Sequence, residues 1–118
     1  MRRTVWIVLL GLLLSACGVY EVRTASVNRI EVLPNLTVRV VAHGTLGDGC
    51  TCVGDVLQRR EAQTFFVTVR EVYNRPLGTS CTLAVSNFRQ EVLLETQDLE
   101  PGPYEVNVNG TVESFTSP

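Results

Sequence analysis

The sequence predicts an all-β fold, an antiparallel sandwich of about seven strands. Three observations lead there. Several segments alternate apolar and polar residues with period two, most clearly Thr64 to Tyr73. Asn109-Gly110 stands between two alternating runs, a strong hairpin signal because both residues of such a turn need positive φ. No segment carries a convincing helical period. Only Gln58 to Thr64 and Asn87 to Leu94 have any helical flavour.

The first residues read as an export signal. Arg2 and Arg3 make a positive start, Val5 to Leu14 is apolar, and Ser15-Ala16 supplies the small residues before a cut. The apolar run is about half of the roughly 20 residues a membrane-spanning helix needs, so a permanent transmembrane anchor is not expected. Leu14-Ser15-Ala16-Cys17 resembles a bacterial lipobox. That resemblance implies cleavage before Cys17, a diacylglycerol thioether on its sulfur and a further acyl chain, such as palmitate, on the new amino group. A buried methylene contributes about 0.8 kcal/mol and one chain binds only reversibly, so several chains on one cysteine are needed to hold a protein firmly. The expected division is a signal peptide over 1–16, a lipidated tether over 17–28 and one sandwich domain over 29–118. The expected location is the extracytoplasmic face of a bacterial membrane, in the cell envelope.

Loss of residues 1–16 removes Arg2 and Arg3 and leaves eight of the ten arginines against twelve acids. A mildly acidic chain without a basic patch argues against nucleic acid and anionic head groups as partners. The mature length suits one monomeric domain with a small core, which a covalent staple would help. Once Cys17 carries lipid, Cys50, Cys52 and Cys81 remain for one bridge and one spare thiol. A Cys50–Cys52 bridge would close a very tight ring. A bridge to Cys81 from Cys50 or Cys52 closes about 30 residues, worth roughly 3–4 kcal/mol, with Cys50 preferred.

Along the chain, Gly18 to Val27 is polar and aperiodic and reads as the tether. Ile30 to Leu33 begins the periodic part, and Leu36 to Ala42 alternates with Leu36, Val38, Val40 and Ala42 on one face. Gly44 to Gly49 is turn chemistry. Cys50 to Leu57 reads as a strand with Gly54 a candidate bulge. In Thr64 to Tyr73, Phe65, Val67 and Val69 share one face while Phe66, Thr68 and Arg70 share the other. Asn74 to Gly78 breaks that strand. Glu91 to Glu95 is a short strand with Val92 and Leu94 pointing inward. Tyr104 to Val108 and Thr111 to Phe115 form the terminal hairpin, with Val108 facing Thr111 and Tyr104 facing Phe115. Every alternating segment lies after Val27, so a chain starting near Arg29 is expected to fold alone.

Gly49-Cys50-Thr51, Arg59-Arg60-Glu61, Phe66-Val67-Thr68-Val69, Arg75-Pro76, Cys81-Thr82 and Leu99 to Gly110 (LEPGPYEVNVNG) form a pattern covering most of the mature chain. It resembles small bacterial envelope lipoprotein domains of immunoglobulin-like type. The resemblance implies a sandwich with one cysteine after the Asp-Gly turn and one after the Arg-Pro turn, which supports Cys50–Cys81. Cys52 departs from that pattern and becomes the free thiol. No catalytic or binding residue is carried over.

His43 is the only histidine. With Cys52 it makes the only conceivable thiolate–imidazole pair, for soft metal binding or nucleophilic catalysis, and Cys50-Thr51-Cys52 lacks the usual metal spacing. No phosphate loop or nucleophile elbow occurs, and no cofactor, metal site or catalytic residue is expected. Arg59, Arg60 and Phe66 are the candidate partner contact, since arginine and aromatics are enriched in interface cores. The Gly44–Gly49 and Asn74–Ser80 loops would present further contacts. The expected function is that of a non-enzymatic binding or structural module for an envelope protein or ligand. Inhibition of an envelope or secreted hydrolase and metal handling through His43 and Cys52 are the alternatives.

Overall fold

The computed structural model describes residues 18–34 and 37–118. The export signal, Cys17 and Leu36 lie outside the described residues. Eight strands form: β1 (Gly18–Thr24), β2 (Ser26–Pro34), β3 (Val38–Leu46), β4 (Thr51–Glu61), β5 (Thr64–Pro76), β6 (Ser86–Leu93), β7 (Gly102–Val108) and β8 (Thr111–Ser117). One sheet contains β4, β5, β1, β7 and β8, and the other has the order β2-β3-β6. The all-β sandwich is therefore what the chain forms. Its inward set is the alternating one: Val38, Val40 and Ala42 face Phe65, Val67, Val69, Val106 and Val108 across the core.

β5 organises its sheet. It pairs along one edge with β4 from Thr64 to Tyr73. Its other edge is shared end to end: β7 runs parallel to Thr64–Val67, and β1 runs antiparallel to Arg70–Pro76. The β5–β7 pair departs from the expected all-antiparallel arrangement. It arises because the β6–β7 connection carries the chain back from the other sheet.

Val69 falls in the gap between β7 and β1, and the side chain of Asn109 fills it. Its Oδ1 accepts from the Val69 N–H at 2.9 Å, while its Nδ2 donates to the carbonyls of Val69 at 2.8 Å and Ala25 at 2.7 Å. The amide thus takes the place of a missing peptide group in the ladder. Asn109 can do so because the turn holds it at φ 51°, followed by Gly110 at φ 94°, as the Asn-Gly pair predicts. Asn109→Ala strips the Val69 N–H and the Ala25 carbonyl of these partners, and an unsatisfied buried group costs about 1–3 kcal/mol. The expected loss is about 2–3 kcal/mol, read as a lower denaturant midpoint at unchanged slope.

The terminal hairpin has the expected register, Val108 opposite Thr111 and Tyr104 opposite Phe115. The Tyr104 and Phe115 rings stack with centroids 5.6 Å apart. The Tyr104 hydroxyl donates to the Glu100 carbonyl at 2.6 Å, tying the strand to the corner before it. The Gly54 bulge is also present, as a register shift between Val53 and Val56.

Other elements differ from the sequence reading. Gly18–Thr24 is no tether: every residue of it pairs with β5. The chain then crosses to the second sheet at buried Ala25. β3 does not end at Ala42 but continues through Gly44 to Leu46. At Gly44 a Cβ would lie 2.0 Å from the Ser26 carbonyl oxygen and 2.4 Å from the Phe88 ring, so the glycine permits close strand approach rather than a turn. Of the two segments with helical flavour, Gln58 to Thr64 runs from the end of β4 through a turn to the start of β5, and Asn87 to Leu94 runs along β6. Their inward positions include Gln58 and Gln90, which blur the alternation.

Candidate functional site

Cys50 and Cys81 form the disulfide, with Cα atoms 5.4 Å apart. Cys50 lies in the Gly47–Cys50 turn just before β4 rather than in the strand. That turn is built by Asp48, whose Oδ1 accepts from the Cys50 N–H at 2.9 Å and from the Thr51 hydroxyl at 2.8 Å. Cys81 sits midway along the Leu77–Val85 loop, which joins β5 to β6 and crosses between the sheets. Beside the bridge, the Gly49 N–H donates to the Thr82 carbonyl at 3.0 Å, and the Asn74 N–H donates to the Cys50 carbonyl at 3.0 Å. The Tyr73 hydroxyl lies 3.7 Å from Cys81 Sγ. One covalent bond and one backbone hydrogen bond therefore pin the middle of a loop that lacks regular structure.

The pinned loop is apolar and exposed. Leu77, Leu83 and Val85 are 79%, 90% and 68% accessible, among the highest values for large apolar side chains in the described chain. Tyr20, on neighbouring β1 opposite Asn74, is exposed as well. Single exposed leucines are ordinary; here Leu77, Leu83 and Val85 all stand exposed within one loop. Of the expected contact loops, Gly44 to Leu46 belongs to β3 and Asn74 to Pro76 to β5, which leaves Leu77–Val85 as the loop between β5 and β6. Its signal was in the sequence, since no charged side chain occurs from Pro76 to Phe88.

Arg59, Arg60 and Phe66 are not one patch. Successive strand residues point to opposite faces. Arg59 pairs with Phe66 on the outer face, its guanidinium carbon 4.2 Å from the ring centroid, and its guanidinium is also hydrogen-bonded to Glu61. Arg60 turns to the inner side, over the rims of Phe65 and Tyr104 at 5.4 and 5.6 Å, and donates to the Ala62 carbonyl. An exposed cation–π contact is worth about 0.5–1 kcal/mol, so both arginines serve as lids on aromatic surface. Nearby on the outer face, Arg70 hydrogen-bonds Asp55 and thereby holds its carboxyl below the ordinary aspartate value.

His43 and Cys52 are also apart. His43 lies on the outer face of the three-stranded sheet, its Nε2 3.4 Å from Glu31 Oε1 but without an aligned hydrogen bond. It belongs to a lattice in which Glu31 also meets Arg29, and Glu91 meets Arg39 and Arg89. Val41 is buried within that lattice, flanked in register by Glu31 and Glu91. Cys52 is a free, exposed thiol on the outer face of the other sheet, beside Val72. Two sheets and the core separate the pair, so the arrangement assembles neither a nucleophile with a base nor a shared metal site. Among the described residues no group of three or more His, Cys, Asp or Glu is placed to hold a metal ion.

Residues 40–117 match the family model described as the ORF11 beta-sandwich domain. No curated protein and no solved structure matches the chain significantly. The match begins within β3 and covers both cysteines of the bridge, the pinned loop and the terminal hairpin.

Proposed function

The chain belongs to the ORF11 beta-sandwich domain family, and from that premise we propose that it is a non-enzymatic binding or structural module of the cell envelope. Lipid on Cys17 holds it to the extracytoplasmic face of a bacterial membrane. The observation that carries the reading is the disulfide-pinned end of the sandwich, where Leu77, Leu83 and Val85 stand exposed on a fixed loop. A rigid scaffold that displays apolar side chains is built for contact, since ordering costs are met before binding. The separation of His43 from Cys52 supports a binding role over a catalytic one. The lipid anchor is supported by Leu14-Ser15-Ala16-Cys17 at the end of an apolar run. The likeness to immunoglobulin-like envelope lipoprotein domains agrees with both.

The test is fractionation of a bacterium expressing the full chain, with mass spectrometry of the N-terminal peptide. The wild type is expected in the membrane fraction with a diacylglyceryl mass on Cys17. Cys17→Ser is expected to stay uncleaved or to leave the membrane. An unmodified Cys17 in the wild type would refute the anchor. Crosslinking in native membranes then reports which face meets another molecule.

A further inference from the structure

Resting on the lipid anchor at Cys17, we propose that the Leu77–Leu83 end of the sandwich docks directly on the bilayer that holds the lipid. The argument starts from β1. Gly18 pairs with Pro76, the last residue of β5, and Leu77 follows at once. Cys17 is bonded to Gly18, and consecutive Cα atoms are about 3.8 Å apart. The acyl chains therefore leave the protein at the far end of β5, with no tether to separate body from membrane.

The same end carries the exposed apolar side chains. Tyr20 stands opposite Asn74, whose N–H is bonded to the Cys50 carbonyl, and Cys50 is bridged to Cys81. Leu77 and Leu83 flank Cys81 in the loop that the bridge holds. Gly18, Tyr20, Leu77, Cys81 and Leu83 are thus linked at one end by a continuous set of pairings. The loop chemistry suits the head-group boundary: no charge from Pro76 to Phe88, with small hydroxyl residues between the leucines. Asp48, the acid of the adjoining turn, is engaged by the Cys50 N–H and the Thr51 hydroxyl, and Glu21 lies one residue further in than Tyr20 on β1, opposite Tyr73. An aqueous protein partner would have to enter the space that the anchored bilayer occupies. Burial of apolar side chains adds to the hold of the acyl chains and needs no basic patch, which matches the acidic mature chain. The bridge then has a second role, keeping Leu83 level with Leu77 so that both reach the same plane.

Trp6 is the only tryptophan in the sequence, so the processed chain has none and a substituted one reports alone. The full chain is expressed in a bacterium as Leu77→Trp, Leu83→Trp or Gln63→Trp. Gln63 is exposed in the turn before β5, at the opposite end of that strand. Each protein is purified, its Cys17 lipid verified by mass spectrometry, and reconstituted in phosphatidylethanolamine–phosphatidylglycerol vesicles with or without brominated acyl chains. Leu77→Trp and Leu83→Trp are expected to show blue-shifted emission and several-fold stronger quenching by brominated lipid than Gln63→Trp. Equal, water-like behaviour of all three in lipidated protein overturns the docking and leaves the anchor standing. An unmodified Cys17 overturns both. Protection of positions 77 and 83 in native membranes but not in pure lipid vesicles assigns the surface to a protein and also overturns the proposal.

Discussion

A chain cut to begin at Arg29 is expected to lose cooperative folding, whereas one beginning at Gly18 melts in a single transition. The cut removes β1, whose seven residues pair with Arg70 to Pro76. It also removes buried Ala25, whose N–H donates to the Val69 carbonyl and whose carbonyl accepts from Asn109. Thr111 Oγ1 loses its partner at the Val27 carbonyl as well. Each ladder hydrogen bond contributes about 0.5–1.5 kcal/mol net, so the strand accounts for several kcal/mol against a total of about 5–15 kcal/mol for a domain. The exposed β5 edge adds a second hazard, because an unpaired strand edge recruits other chains. Circular dichroism melts and size-exclusion chromatography of the two chains decide the matter. A monomeric, cooperatively melting Arg29 chain would show that β1 is dispensable.

Cys50→Ser and Cys81→Ser are each expected to cost roughly 2–5 kcal/mol, the usual loss for a native bridge in a small secreted domain. The bonded residues are 31 apart in sequence, and closing such a loop in the unfolded chain is worth roughly 3–4 kcal/mol in the chain-entropy model. Here the bridge also fixes a loop that otherwise has the Gly49–Thr82 hydrogen bond to hold it. Its loss should therefore raise amide exchange in Leu77–Val85 before it affects β7 and β8. Cys52→Ser is expected to change stability little, since that thiol is exposed and unbonded. Denaturant unfolding gives the magnitudes, and peptide mapping without reduction identifies the linkage. A Cys52–Cys81 peptide would reverse the roles of the two cysteines.

The candidate site was legible only in part. The thiol count and the turns before Cys50 and Cys81 favoured their pairing but left Cys52–Cys81 open, and the resemblance to envelope lipoprotein domains supported Cys50. Adjacency in sequence does not make one patch here. Arg59 and Arg60 are neighbours in sequence, but the pleat sends them to opposite sides of β4, where each covers a different aromatic ring. Leu83 looked unremarkable because it sits in a loop without periodicity. Its exposure depends on where the bridge and the two sheets leave the loop.

What the sequence determined by itself was local and repeated. Alternation set the inward face of Phe65, Val67 and Val69, since a half-buried strand must place every second residue in the core. Asn109-Gly110 determined the hairpin turn and its register, since few other pairs accept two positive φ values. Gly54 marked the bulge. The tertiary structure decided what depended on distant partners. β1 carries no alternating signal, because every residue from Val19 to Thr24 is exposed and neither face of the strand is buried. Its place is set by the free edge of β5, some fifty residues later in the chain. The Asn109 side chain acquired its role only when β7 and β1 met the same edge and left Val69 between them. Local sequence encodes which face a residue turns to the core, because that is a matter of backbone geometry. Which edge a strand joins is settled by the hydrogen bonds still unpaired once the other strands are in place.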